Sequence, residues 1–176
     1  MGVREVKKKV LGIAVALLFV AMMVAPVLAV SPKKIPVTTQ MSGSYWIPPP
    51  PTEVWTSGNV QHGRGFTGGH LSYNITGEGM PDLNGSQTTY YGDYNVNLKN
   101  GHGVIRRKMV ITFDGGTFEG NNIQHGIITM MGGVFPRLDE GTVHAVFHGT
   151  GDYLGWTFVV TVEQPGSIRE AYMLIP

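Results

Sequence analysis

Six histidines and one oddly placed arginine are the residues of this chain best suited to chemistry. The histidines are His62, His70, His102, His125, His144 and His148. His144 and His148 are four apart in an extended stretch, so they share a face about 13 Å from each other. That is too far for one metal ion. A zinc site needs three or four convergent ligands, so His62, His70 or His125 would have to join from neighbouring strands. No metal is expected, and the histidines read as hydrogen-bonded or exposed polar positions. The serines 42, 44, 57, 72, 86 and 167 include none in a Gly-x-Ser-x-Gly elbow. Asp93, Asp114, Glu119 and Asp152 could pair as carboxylates, but their spacing shows no convergence. Gly101-x-Gly103 opens no helix, so it is no dinucleotide loop, and no cofactor is expected.

Arg107 is more informative. The run Gly103 to Phe113 alternates, and it places Ile105, Arg107, Met109, Ile111 and Phe113 on one face. A guanidinium on an apolar face needs a partner or a water-filled cavity. Two readings stay open. A bulge at Arg106–Arg107–Lys108 could turn the side chain outward. Alternatively Arg107 faces a pocket and anchors an anion, with His70, Tyr90 and Tyr94 as polar lining. Asn74–Ile75–Thr76 and Asn84–Gly85–Ser86 fit the glycosylation sequon, which makes Asn74 and Asn84 candidate acceptors in an exported protein.

These side chains need a frame, and the composition says which kind. The 176 residues include 25 glycines and no cysteine, with 14% charged residues. Thiol nucleophiles, zinc–thiolate sites and disulfides are excluded. Glycine in excess without a collagen period means many turns. Met1 to Lys9 is basic, Val10 to Val24 is apolar, and Pro26 precedes a cut after Ala29. That is the plan of a secretory signal over 1–29, with a single domain over 30–176. The alternative is an uncleaved anchor, the one route by which this chain would meet a membrane. An exported chain without cysteine suits a prokaryote. Setting aside Arg4, Lys7, Lys8, Lys9 and Glu5 leaves 9 basic and 11 acidic residues, a net charge near −2. No basic field remains to bind nucleic acid.

Strand signals fill the rest. Ile35 to Trp46 reads as a strand that ends at four prolines, Pro48 to Pro51, expected to be a stiff spacer, with a docking site for an aromatic groove as the alternative. Glu53 to Phe66 and Thr67 to Thr76 follow, the glycines between them implying a bulge or close backbone approach. A loop is expected over Gly77 to Gly85. Thr88 to Leu98 puts Tyr90, Tyr94, Val96 and Leu98 on one face, and Asn100–Gly101 is a hairpin turn signal. Thr117 to Glu119 reads as a brief strand, Asn122 to Met131 as another, and Pro136 to Gly141 as a polar loop. Thr142 to His148, Thr157 to Glu163 and Ile168 to Ile175 complete the set. Turns every 8–12 residues and no helical period predict an all-β fold, an antiparallel barrel of about eight strands after the signal helix. A barrel is preferred over a sandwich because it leaves no open edges.

Gly149–Thr150–Gly151–Asp152–Tyr153–Leu154–Gly155 has the form Gly-Thr-Gly-x-aromatic-x-Gly, echoed at Gly116–Thr117–Phe118–Glu119–Gly120. It resembles the hairpin of the allene oxide cyclase and dirigent barrels, and of small uncharacterised exported prokaryotic proteins that repeat it. The resemblance covers about 20 residues and implies the barrel. The cyclase's catalytic carboxylate has no counterpart here, so the activity is not carried over. The turn is expected to be architectural, with Tyr153 as a plug and Trp156 as a core residue. The expected role is non-catalytic binding of a small ligand or a surface partner by a secreted or cell-surface protein. A cyclase- or isomerase-like enzyme, and a structural subunit assembling by strand addition through Ile35 to Trp46, are the alternatives.

Overall fold

Alternation along Thr88 to Leu98 and Gly103 to Phe113 becomes a pair of long antiparallel strands in the computed structural model of the chain. The structure describes residues 31–42, 50–70, 72–84 and 87–176. The expected signal helix lies outside them, as do Gly85 and Ser86 of the second sequon. Among the described residues there are eleven strands: β1 Lys33–Pro36, β2 Thr38–Ser42, β3 Glu53–Ser57, β4 Val60–His70, β5 Ser72–Thr76, β6 Gln87–Asn97, β7 His102–Phe113, β8 Gly116–Met131, β9 Phe135–Gly149, β10 Thr157–Gln164 and β11 Ser167–Ile175. The fold is all-β and every pairing is antiparallel.

Among the described residues the ladders do not form the one closed barrel that was expected. They give a nine-stranded sheet, β1-β11-β10-β9-β8-β7-β6-β4-β3, and a two-stranded sheet, β2-β5. The break has a local cause. Pro36 has no amide to donate, and Val37 turns its own amide to the Ala171 carbonyl, 3.1 Å away. β1 therefore stays on β11, and the next residues leave to pair with β5. The expected single strand Glu53 to Phe66 is also two, reversed at Gly58 with φ +59.

The inward face of the long strands is aromatic, and glycine on the neighbouring strand makes room for it. A Cβ at Gly63 would collide with the Tyr94 ring, and one at Gly68 with the Tyr90 ring. The Phe66 ring lies against Gly92, where a Cβ would come within 2.8 Å of it. Phe118, Phe147 and Phe158 are fully enclosed, each stabilising the fold by about 1.5–3 kcal/mol through burial. Gly65, at φ +71, carries the bulge that the glycine-rich run implied, between Arg64 and Phe66.

One end of this core is sealed by the turn Gly149 to Trp156. A single 3-10 turn, Gly151–Tyr153, swings Tyr153 inward. Its ring stacks on Phe118 at 5.2 Å and meets Phe113 edge-on at 6.2 Å. Its hydroxyl donates to the Asp114 carbonyl at 2.5 Å. Trp156 packs half-buried against the same cluster. Tyr153 is buried at the plug position that the sequence suggested, whereas Trp156, expected in the core, lies half-buried at its margin.

The other end differs from the sequence reading. β8 runs unbroken for 16 residues, and the expected loop Pro136 to Gly141 is the first part of β9. The segment looked polar because Arg137 and Asp139 pair with each other at 2.7 Å, with Arg137 also at the edge of the interior cavity. Pro136 and Leu138 face inward between them. Alternation was present, but a proline and three charges concealed it.

Candidate functional site

Inside the sheets lies a cavity of about 550 Å³, within the range of small-ligand sites, roughly 300–1,000 Å³. Its wall draws on β2, β4 to β11 and the β10–β11 turn, from Thr39 and Tyr73 in the small sheet to Val160 and Ile168 in the large one. Space exists because small residues occupy inward positions at one level. Register places Gly92 opposite Arg107, Arg107 opposite Asn122, and Asn122 opposite Ala145. Ala145 leaves room in this row, while the place beside Gly92 is taken by the Phe66 ring, itself part of the cavity wall.

Arg107 points into that hollow. No bulge occurs in β7 at 106–108; Arg106 faces out to Asp93 at 3.3 Å, and Arg107 faces in. Its guanidinium carbon sits 4.8 Å from the Tyr90 ring centre and 5.6 Å from that of Phe66. The negative faces of those rings help hold a cation in an apolar surround. Asn122 and Gln124 follow on β8, only 8% and 6% exposed. The Gln124 amide donates to the Asn122 carbonyl oxygen at 2.9 Å. Asn122 stands opposite Arg107 in register. Tyr73 adds a phenol hydrogen-bonded to Thr39. Among the described residues, no aspartate, glutamate or histidine lines the cavity.

The four ligand-site residues named from sequence separate here. Arg107 and Tyr90 line the cavity. Tyr94 is inward and wholly buried, but it lies flat on Gly63 and outside the cavity wall. His70 ends β4, and its side chain lies outside the described residues. Asn122 and Gln124 were missed, because β8 was read as two separate pieces, Thr117 to Glu119 and Asn122 to Met131, with no face assigned to the second. Counting in twos from Phe118 would have found them, once β8 was read as one strand. Of the sequon residues, Asn84 is exposed, while Asn74 is half-buried in β5 opposite Gln40.

The histidines on the outer face make local bonds. His144 and His148 meet Thr161 and Thr157 at 3.0 and 3.3 Å, and His62 meets Asn95 at 2.6 Å while stacking on Trp55.

Burial raises the phenol pKa of Tyr73, Tyr94 and Tyr153 above the ordinary 10.0. For Tyr153, the nearby Asp152 and Asp114 add to the effect. A raised folded-state pKa contributes stability that is complete below the unfolded value and lost as pH rises through the folded one. Stability should therefore hold up to pH about 10 and fall beyond it. Urea midpoints measured across that range, with tyrosinate absorbance followed alongside, check this. A midpoint that stays flat to pH about 11 contradicts it.

Comparison with protein-family models, curated proteins and solved structures finds no match to this chain.

Proposed function

We propose that this is an exported protein whose two sheets wrap into one barrel around an interior site for a small ligand of mixed polarity. Continuity of the chain supports the barrel. β1 and β2 are separated by Val37 alone, and β4 and β5 by Leu71 alone. Read as one path, β1–β2 pairs with β11 at its start and with β5, the extension of β4, at its end. The path then joins both margins of a ring of eight, leaving β3 outside. The allene oxide cyclase/dirigent-like kinship is part of this proposal, and the Gly149 to Gly155 turn supports it.

One observation carries the ligand: Arg107, Asn122 and Gln124 face a cavity that is otherwise largely apolar. Such a wall binds by shape and orients by a few polar groups. Binding is placed ahead of cyclase- or isomerase-type catalysis because the described wall offers no carboxylate or imidazole for proton transfer. It is placed ahead of strand addition because β1 and β2 both pair within their own chain. The leader implies secretion or display at the cell surface.

Native mass spectrometry of the protein from its own host tests the reading. The expected result is a chain cut after Ala29 that carries a non-covalent small molecule, released on denaturation. A bare chain at every gentle condition would count against an interior ligand.

A further inference from the structure

We infer that the interior site fills through an apolar portal between the β8–β9 and β10–β11 turns, and that Ile168 is the residue that sets which ligands pass. This rests on the interior-site reading. Exposure along the cavity wall shows where it opens. Phe66 and Phe147 are wall residues only 2% exposed. Met131 and Ile168 line the same cavity and are 40% and 47% exposed. Arg137 and Gly166 are the other exposed residues of the wall, and they belong to the same two hairpins. The rest of the wall is buried or half-buried. Closed at the Tyr153 end, the cavity therefore meets water between these hairpins, with no movement of the chain.

The β8–β9 side of the opening is fixed. The Ile128 amide donates to the Gly101 carbonyl at 2.8 Å, and the Gln61 amide to the Gly133 carbonyl at 2.8 Å. Arg137 is held at the rim by Asp139. The width of such a portal depends on the side chains at its edge.

Ile168 stands at that edge because its ladder is irregular. Phe158 and Val160 of β10 face inward, opposite Met173 and Ala171 of β11. Counting back in twos from Met173, the next inward position would be Arg169. Instead the register slips between Thr161 and Val162, and Val162 stands opposite Ile168. Both of these side chains line the cavity. Arg169 is the extra residue of the bulge, and it turns outward to Glu163 at 2.6 Å. Bulges beside sites commonly re-aim a side chain in this way. This one removes a guanidinium from the mouth and puts a branched apolar group there. An apolar ligand passing a guanidinium would strip water from a charge; passing Ile168, it does not.

Stopped-flow fluorescence with N-phenyl-1-naphthylamine, a neutral apolar probe, tests the portal. Ile168→Trp narrows it and should slow both association and dissociation by about tenfold, with Kd within about twofold of wild type. Ile168→Ala widens it and should speed both by about threefold. Leu154→Trp is the control, because Leu154 is 78% exposed at the sealed end, and it should change neither rate. Wild-type rates in both Ile168 variants overturn the inference. So does a change confined to dissociation, which would make Ile168 a binding contact, or equal slowing by Leu154→Trp, which would put the entrance at the other end. Ile168→Ala keeps the test decisive if the tryptophan variant folds poorly. Failure of the wild-type protein to bind the probe at all would instead count against the interior site itself.

Discussion

Replacing Gly151 by valine is expected to cost more than about 3 kcal/mol and lower the thermal midpoint by about 6–12 °C. Gly151 sits at φ +60, a region that a β-branched residue enters only with strain. Its Cβ would also collide with the Gly115 carbonyl oxygen, across the turn at the sealed end. Backbone cannot yield as a flexible side chain can, so the two penalties add. The cavity wall does not include this turn. Protein that does fold should therefore keep its ligand affinity. Scanning calorimetry and a binding titration on the folded fraction separate the two effects. Normal melting with lost affinity would mean that the turn is part of the site and not of the scaffold.

Phe118→Ala is expected to have the larger effect, about 3–5 kcal/mol. Phe118 is fully buried. It stacks on Tyr153 at 5.2 Å and receives Phe113 edge-on at 6.0 Å. Truncation leaves a hole that neither neighbour can fill, because Tyr153 is tethered by its hydroxyl to Asp114. Tyr91→Ala is the control. That ring is 57% exposed on the outer face of β6, and its loss should move stability by no more than about 0.5 kcal/mol. Urea unfolding of both variants reads the contrast. A Phe118 variant as stable as the Tyr91 variant would mean that the aromatic plug does not hold the fold.

These outcomes separate scaffold from site, and the separation was half legible in the sequence. Alternation in β6 and β7 is local, set by the two-residue period of an extended chain. It put Tyr90 and Tyr94 on one face of β6 and Arg107 on the apolar face of β7, but left open whether a bulge would turn Arg107 outward. Turn chemistry is local too: Asn100–Gly101 reverses β6 into β7, with Gly101 at φ +74. The Gly149 to Trp156 turn was likewise read as architecture from its own residues.

What the neighbours decide was not legible. The polarity of β8 is inverted at its middle, where Asn122 and Gln124 are buried and Ile123 is exposed. Only the strands beside it, with their glycine and alanine, explain why amides sit inside. Ala145, opposite Asn122 in the same row, is small enough to leave the hollow open. Tyr94 has the expected face, yet it misses the cavity because Gly63 lets it lie flat on β4. Gly126 and Gly141 look like ordinary turn glycines until pairing sets them opposite each other.

The sequence by itself therefore determined the all-β class, most strand positions, the main turns and the faces of β6 and β7. Each depends on residues within a few positions of one another. The tertiary structure alone decided that Arg107, Asn122 and Gln124 line one hollow, that β1 and β2 part at Val37 to serve two sheets, and that the Gln61 amide reaches the Gly133 carbonyl in the β8–β9 turn. Each of these depends on register and on the size of side chains from strands far apart in the chain, and no local period encodes that.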